Sequence, residues 1–170
     1  MDPSQSAQGV LELLAEQRVC LVLAESCTGG LAAALLVGVP GASNWFCGSA
    51  VTYREATKEV WLGVSGDAVA GQTAVSEQVT REMVTGSLAK PPEAQLAAAI
   101  TGHLGPAAPV ELDGVVFVAT LWRDSAAGES CRVLRYQLTQ QRREQRQQEA
   151  AALLLARLVE VLAERGGDGP

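Results

Sequence analysis

The feature that most constrains this chain is a short apolar run that breaks into a glycine-bearing turn and restarts at once as helix-forming sequence. Val19 to Ala24 reads as a buried strand, Ser26, Cys27, Thr28, Gly29 and Gly30 follow it, and Leu31 to Val37 are good helix formers. Strand, tight turn and helix in that order form the repeating unit of α/β folds. The alternation extends in both directions. Val10, Leu11, Leu13 and Leu14 recur at helical spacing, which predicts a helix over about Ser4 to Arg18. Trp45 to Tyr53 has the aromatic and β-branched character of a strand, Glu55 to Leu62 reads as a short helix stopped by Gly63, and Ser76 is a credible N-cap for a helix reaching about Lys90. Val64 to Thr73 reads as a loop. Ala94 to Ile100, Val115 to Trp122 and Arg132 to Leu138 are further strand candidates, the last two separated by a polar turn at Gly128. Arg142 to Glu164 carries Leu154, Leu158 and Leu162 along one face, widened by Leu155 and Val161. The expectation is an α/β chain: a three-layer α/β/α sandwich with a mixed, mostly parallel central sheet, in one domain over 1–170 whose tail, about 166–170, is disordered.

Composition decides against several classes of function. Aromatic residues make up 4% of the 170 residues against 48% hydrophobic overall, so the core must be built from many small aliphatic contacts. A formal charge of -6 and a pI near 4.8 oppose binding to a phosphate backbone, which argues against nucleic acid as partner. Cys20, Cys27, Cys47 and Cys131 show no CxxC spacing and sit in or beside apolar runs, as reduced thiols of a cytoplasmic protein do. The start of the chain is polar, unlike a signal peptide, and no apolar run has the length of a membrane span, so no membrane partner is expected.

Ser26 stands where a strand gives way to a helix, so its hydroxyl can project from a sharp turn while the N–H groups of Cys27, Thr28 and Gly29 offer an oxyanion site. The competing reading is that Ser26 or Thr28 merely caps the helix. A serine nucleophile needs a base. His103, the single histidine, lies in Thr101-Gly102-His103-Leu104-Gly105-Pro106 after a buried strand, so a Ser/His/Asp triad is open on counting alone. Lys58, one of two lysines, can do the same work if its surroundings lower its pKa; otherwise it is a solvated helix residue. Tyr53 precedes it at the strand-to-helix junction, with core packing as its alternative role. No phosphate loop, no dinucleotide fingerprint and no metal-ligand spacing is present, so neither cofactor nor metal is expected. Arg142, Arg143 and Arg146 crowd the start of the last helix, and Arg142 and Arg146, one turn apart, are placed to grip a phosphate together.

Read in order, Ala24-Glu25-Ser26-Cys27-Thr28-Gly29-Gly30, Val39-Pro40-Gly41-Ala42-Ser43, Val51-Thr52-Tyr53 with Lys58, Leu62-Gly63-Val64, Ala74-Val75-Ser76-Glu77, and Thr101-Gly102 with Gly105-Pro106 resemble the CinA C-terminal domain family from about Leu11 to Leu162. The resemblance implies a nicotinamide-nucleotide amidase that converts nicotinamide mononucleotide to nicotinate mononucleotide and ammonia in pyridine-nucleotide salvage. It implies Ser26 as nucleophile, Lys58 as base, Tyr53 assisting proton transfer or holding Lys58, and Arg142 completing the site. Thr101, Gly102, Gly41 and Ser43 are expected to contact the substrate. A homodimer without metal is implied, and the large N-terminal domain of many family members is not expected here. The chain departs from the family at His103, where an apolar residue is common, at Ala107-Ala108-Pro109 in place of a longer glycine-rich loop, and at Gln140-Gln141 in place of Gly-Asp. Two rival readings remain at this point: an amidase using Cys27 as nucleophile with His103 as base, and a pyridine-nucleotide-binding module that has lost turnover.

Overall fold

The computed structural model describes residues 2–68, 74–123 and 131–167. Ten principal elements follow one another: α1 (Pro3–Gln17), β1 (Leu21–Glu25), α2 (Leu31–Val37), β2 (Phe46–Val51), α3 (Glu55–Leu62), α4 (Glu77–Leu88), β3 (Leu96–Gly102), β4 (Val115–Trp122), β5 (Arg132–Gln137) and α5 (Arg143–Gly167). The strands form one sheet in the order β2-β1-β3-β4-β5. β1 pairs in parallel with β2 and β3, whereas β3 with β4 and β4 with β5 are antiparallel. The sheet is therefore mixed: four of its five strands point the same way and only β4 opposes them, while the pairings divide evenly.

Side-chain alternation along the strands sorts the helices into two layers. Leu21 and Leu23 of β1, with Leu96, Ala98 and Ile100 of β3, face α1, α2 and α5. Val22 and Ala24, with Ala97, Ala99 and Ala119, face the other way onto α3 and α4. This is the three-layer α/β/α sandwich. The alanines at the middle of β3 and β1 let helices approach the sheet closely on both faces, in keeping with a core short of aromatic rings.

Element ends follow local chemistry. Gly63 closes α3 at φ 70, a left-handed conformation that glycine adopts without strain. Ser76 caps α4, its hydroxyl oxygen accepting from the Val79 N–H at 3.2 Å. The last helix begins at Arg143 rather than Arg142 and continues past Glu164, so Gly166 and Gly167, expected in a disordered tail, belong to it. Residues 168–170, the expected turn at Gly128 and the end of the expected Val64 to Thr73 loop lie outside the described residues.

Gly86 of α4 fixes the position of α3. A Cβ at Gly86 would lie 1.9 Å from the Leu62 carbonyl oxygen and 2.7 Å from its carbon, so the two helices touch backbone to backbone there. Gly86→Ala is expected to destabilise the fold by about 1–3 kcal/mol despite alanine's better helix propensity, because the backbone of α3 must move to admit a methyl group. The denaturant midpoint measures it, and an unchanged or raised midpoint would show that the helices separate freely.

Candidate active site

The chain crosses from β1 to β2 through α2 on one face and from β2 to β3 through α3 and α4 on the other. β1 therefore sits where the winding reverses, and a crevice opens beyond the carboxyl ends of β1, β2 and β3. Ser26 and Cys27 continue β1, Thr52 and Tyr53 continue β2, and Thr101, Gly102 and His103 end β3. A cavity of about 340 Å³ at this end is lined by Ser26, Cys27, Tyr53, Lys58, Thr101, Gly102, His103 and the loop from Leu104 to Ala108, with Arg143 at its rim.

The turn after β1 is organised by a residue that sequence reasoning left without a role. Glu25 is fully buried, and its carboxylate accepts from the N–H groups of Gly30, Ala32 and Ala33 and from the hydroxyls of Thr28 and Ser49 at 2.7–3.2 Å. It caps α2 across the turn and neutralises that helix's positive end. Gly29 at φ 64 and Gly30 at φ 95 give the turn its shape; they do not line the cavity. Because Glu25 does the capping, the competing reading of Ser26 and Thr28 as helix caps does not describe this turn. Thr28 instead donates to Glu25 at 2.7 Å.

The Ser26 hydroxyl has a different partner. Lys58 Nζ lies 2.9 Å from Ser26 Oγ and donates to the Thr52 carbonyl at 2.8 Å. Lys58 projects from α3 on the same side of the sheet and is 1% exposed, Ser26 6%. Among the described residues no carboxylate lies within ion-pair distance of Lys58. Burial is the main influence on its ammonium and pushes its pKa below the usual lysine range, against smaller opposing effects of Cys27 and Glu55. A neutral amine here has a lone pair for the Ser26 proton while an N–H stays on Thr52.

The remaining expected residues divide. Thr101 and Gly102 line the cavity, Thr101 donating to the Ala74 carbonyl at 3.2 Å. Tyr53 lines it too, yet the residue is 60% exposed and its hydroxyl accepts from Arg143 at 3.0 Å, with no hydrogen bond to Lys58 among the described residues. The Gly29 N–H donates to the Ser26 carbonyl at 3.1 Å and is spent; the N–H groups of Cys27 and Thr28 face the Cys27 sulfur. Gly41 and Ser43 stand away from the cavity, in the loop that enters β2, because a crossover helix delivers the chain to the opposite end of the sheet.

Arg142 is not among the residues that line the cavity. It precedes the helix, is exposed and pairs with Glu144 at 2.5 Å. Arg143 occupies the rim, donating to the Gly105 carbonyl and to Tyr53. Arg146 is buried and its guanidinium is held by both oxygens of Asp113 at 2.7 and 2.9 Å and by the Gln140 carbonyl at 2.8 Å, so it is not paired with Arg142 on a phosphate. Among the described residues no cluster of three or more His, Cys, Asp or Glu side chains is placed to hold a metal, and no helix is long and apolar enough to cross a membrane.

The model of the CinA C-terminal domain matches residues 4–162. The chain belongs to the CinA family. A CinA-like protein of Myxococcus xanthus is 38% identical over 144 residues, which are 84% of this chain and 33% of the relative. Another, of Thermotoga neapolitana, is 42% identical over 120 residues, 69% of this chain and 29% of that protein. The chain thus spans about a third of these CinA-like proteins. Solved CinA domains share the whole fold: a CinA superfamily protein of Klebsiella pneumoniae superposes with TM-score 0.88 at 29% identity, covering 96% of this chain and 99% of its own. A competence/damage inducible protein of Agrobacterium tumefaciens gives 0.84 at 28% identity, covering 94% and 95%.

Proposed function

We propose that this CinA domain is a nicotinamide-nucleotide amidase that hydrolyses the carboxamide of nicotinamide mononucleotide through Ser26 and Lys58. The supporting observation is the buried contact of 2.9 Å between Lys58 Nζ and Ser26 Oγ, with no carboxylate paired to Lys58 among the described residues. In this reading neutral Lys58 takes the Ser26 proton as Oγ attacks the carboxamide carbon, and the N–H groups of Cys27 and Thr28 exchange the Cys27 sulfur for the oxyanion. Lys58 returns the proton to the leaving nitrogen, ammonia departs, and water hydrolyses the acyl-serine to nicotinate mononucleotide. The pyridinium charge of the substrate draws electrons from the carboxamide and assists the attack. The working form is a homodimer, which light scattering tests.

A Cys27 mechanism is less well supported. Burial pushes the Cys27 thiol up to about 12, leaving on the order of one part in 10⁵ as thiolate near neutrality, and no hydrogen bond joins it to His103 among the described residues. The deciding assay is ammonia release across nicotinamide, its riboside and its mononucleotide. Tight binding of the mononucleotide without ammonia would identify the domain as a binding module.

Two further results are expected. kcat/KM should rise with pH as Lys58 loses its proton and level off above its lowered pKa, so the rising limb falls below the 10.5 of a free lysine. The limb should persist in His103→Leu; its disappearance would make His103 the base. Arg143→Ala should cut the mononucleotide reaction by roughly tenfold to a hundredfold and the riboside reaction less, as expected of a charge-assisted bond to the phosphate, whereas Arg142→Ala should change neither by more than about twofold. The reverse ranking would return the phosphate contact to Arg142.

A further inference from the structure

Helix α5 reaches the turn of the nucleophile through one side chain that the reaction has not used. Gln147, one turn beyond Arg143 and half-buried, donates from Nε2 to the Thr28 carbonyl at 2.8 Å. A carbonyl oxygen can only accept, so the side-chain amide must present its nitrogen there. A Cβ at Gly29 would stand 3.3 Å from that nitrogen, closer than ordinary contact, so the glycine leaves room for Gln147 to approach. Gln147 is not among the residues lining the cavity and can act on a bound substrate only through the backbone.

Peptide connectivity carries the contact to the reacting centre. The Thr28 carbonyl and the Gly29 N–H belong to one planar unit, and that N–H donates to the Ser26 carbonyl at 3.1 Å. The Ser26 carbonyl in turn shares its unit with the Cys27 N–H, one of the two proposed oxyanion donors. Gln147, two peptide groups and the Cys27 N–H are thus joined head to tail. A carbonyl that accepts a bond makes the N–H of its own unit a stronger donor, by on the order of 10–30% per bond. The Leu31 N–H also donates to the Thr28 carbonyl, at 3.2 Å, but it comes from the same segment of chain, whereas Gln147 ties the turn to another element. Glu25 serves the other end of the turn, accepting from Gly30, Ala32 and Ala33, and takes no part in this chain of bonds.

We infer that Gln147 is a positioning residue that, through the Thr28–Gly29 peptide, aligns and strengthens the Cys27 N–H as an oxyanion donor beside Ser26. The inference rests on the amidase reading and deepens it. A strengthened donor counts most once negative charge has formed on the substrate oxygen, so Gln147 acts on kcat and hardly on ground-state binding.

Gln147→Leu removes the donor at similar size, and Gln147→Glu keeps the shape but donates only while the introduced carboxyl is protonated. Removing an oxyanion donor costs on the order of 10²–10³ in kcat, and weakening one should cost less, so Gln147→Leu is expected to lose about tenfold in kcat on nicotinamide mononucleotide with KM nearly unchanged. The kcat of Gln147→Glu relative to the parent at the same pH should fall as pH rises through the titration of the new carboxyl. In ¹⁵N NMR of the substrate-free protein, the Gly29 and Cys27 amide nitrogens should move upfield in Gln147→Leu, Gly29 the more, while those of Gly30 and Ala32 stay in place. An active parent whose leucine variant keeps kcat, or loses only KM, overturns the inference. So do unmoved Gly29 and Cys27 resonances, movement spread equally over Gly30 and Ala32, or equal losses in both variants at every pH, which would reduce Gln147 to packing. A parent that releases no ammonia from any pyridine carboxamide is a different failure: it removes the amidase reading, and the inference falls with it.

Discussion

Ser26→Ala is expected to lower kcat for nicotinamide mononucleotide by at least about 10⁴-fold while leaving the chain folded and able to bind substrate. The substitution deletes the attacking oxygen and adds no atom to the turn. It does not uncap α2, because the N–H groups at that helix's start belong to Glu25. Its structural cost is confined to the contact with Lys58 Nζ, which keeps the Thr52 carbonyl. The loss of stability should therefore be about 1 kcal/mol, and calorimetric binding of the mononucleotide should persist. Glu25→Ala is the contrasting control: it should lose stability first, because it strips several N–H and hydroxyl donors of one buried acceptor. Parental rates in the alanine variant would remove Ser26 from the chemistry and direct attention to Cys27.

Much of this architecture was legible because it rests on local signals. Gly63 stops α3 where a glycine after a helical run should, and Ser76 caps α4 as its hydroxyl and position suggest. The turn between Ala24 and Leu31 announced the crevice. What escaped depends on how segments meet. Glu25 stands in the most informative run of the sequence, but a carboxylate at the end of a buried strand has no periodicity to show what it binds; the only clue was a charge placed where burial would demand partners. The arginine at the rim lies one residue after the one expected because the helix starts at Arg143, so the one-turn spacing of Arg142 and Arg146 does not apply to a residue outside the helix. Gly41 and Ser43 were expected at the substrate from family resemblance, whereas chain direction alone puts a loop that enters a parallel strand at the end away from the site. Asp113, in a loop far from Arg146 along the chain, left no sequence signal that it would occupy that guanidinium.

Lys58→Met and Lys58→Arg should both be inactive, yet move stability in opposite directions. Methionine removes the base but matches the length of the buried stem, leaving an apolar side chain at a position that is 1% exposed. Arginine keeps a proton at any working pH and so cannot accept one from Ser26. It must also bury a larger, permanently charged group in a site where no carboxylate pairs with the native lysine among the described residues, which is destabilising. The pH dependence separates the two causes. Burial lowers the folded-state pKa of Lys58 below the 10.5 of an unfolded lysine, so between those values the unfolded chain binds more protons and stability rises with pH. Below the folded-state value the full penalty of burying the ammonium is felt, and above the unfolded value it vanishes. Lys58→Met should therefore be more stable than the parent near neutrality, with the advantage shrinking as the pH approaches that of free lysine; Lys58→Arg should be less stable throughout. Urea unfolding at several pH values measures both curves. A methionine variant less stable than the parent at neutral pH would mean that the contacts of Lys58 with Ser26 and Thr52 outweigh its desolvation, and an arginine variant that retains most of its activity would make Lys58 a binding residue rather than the base.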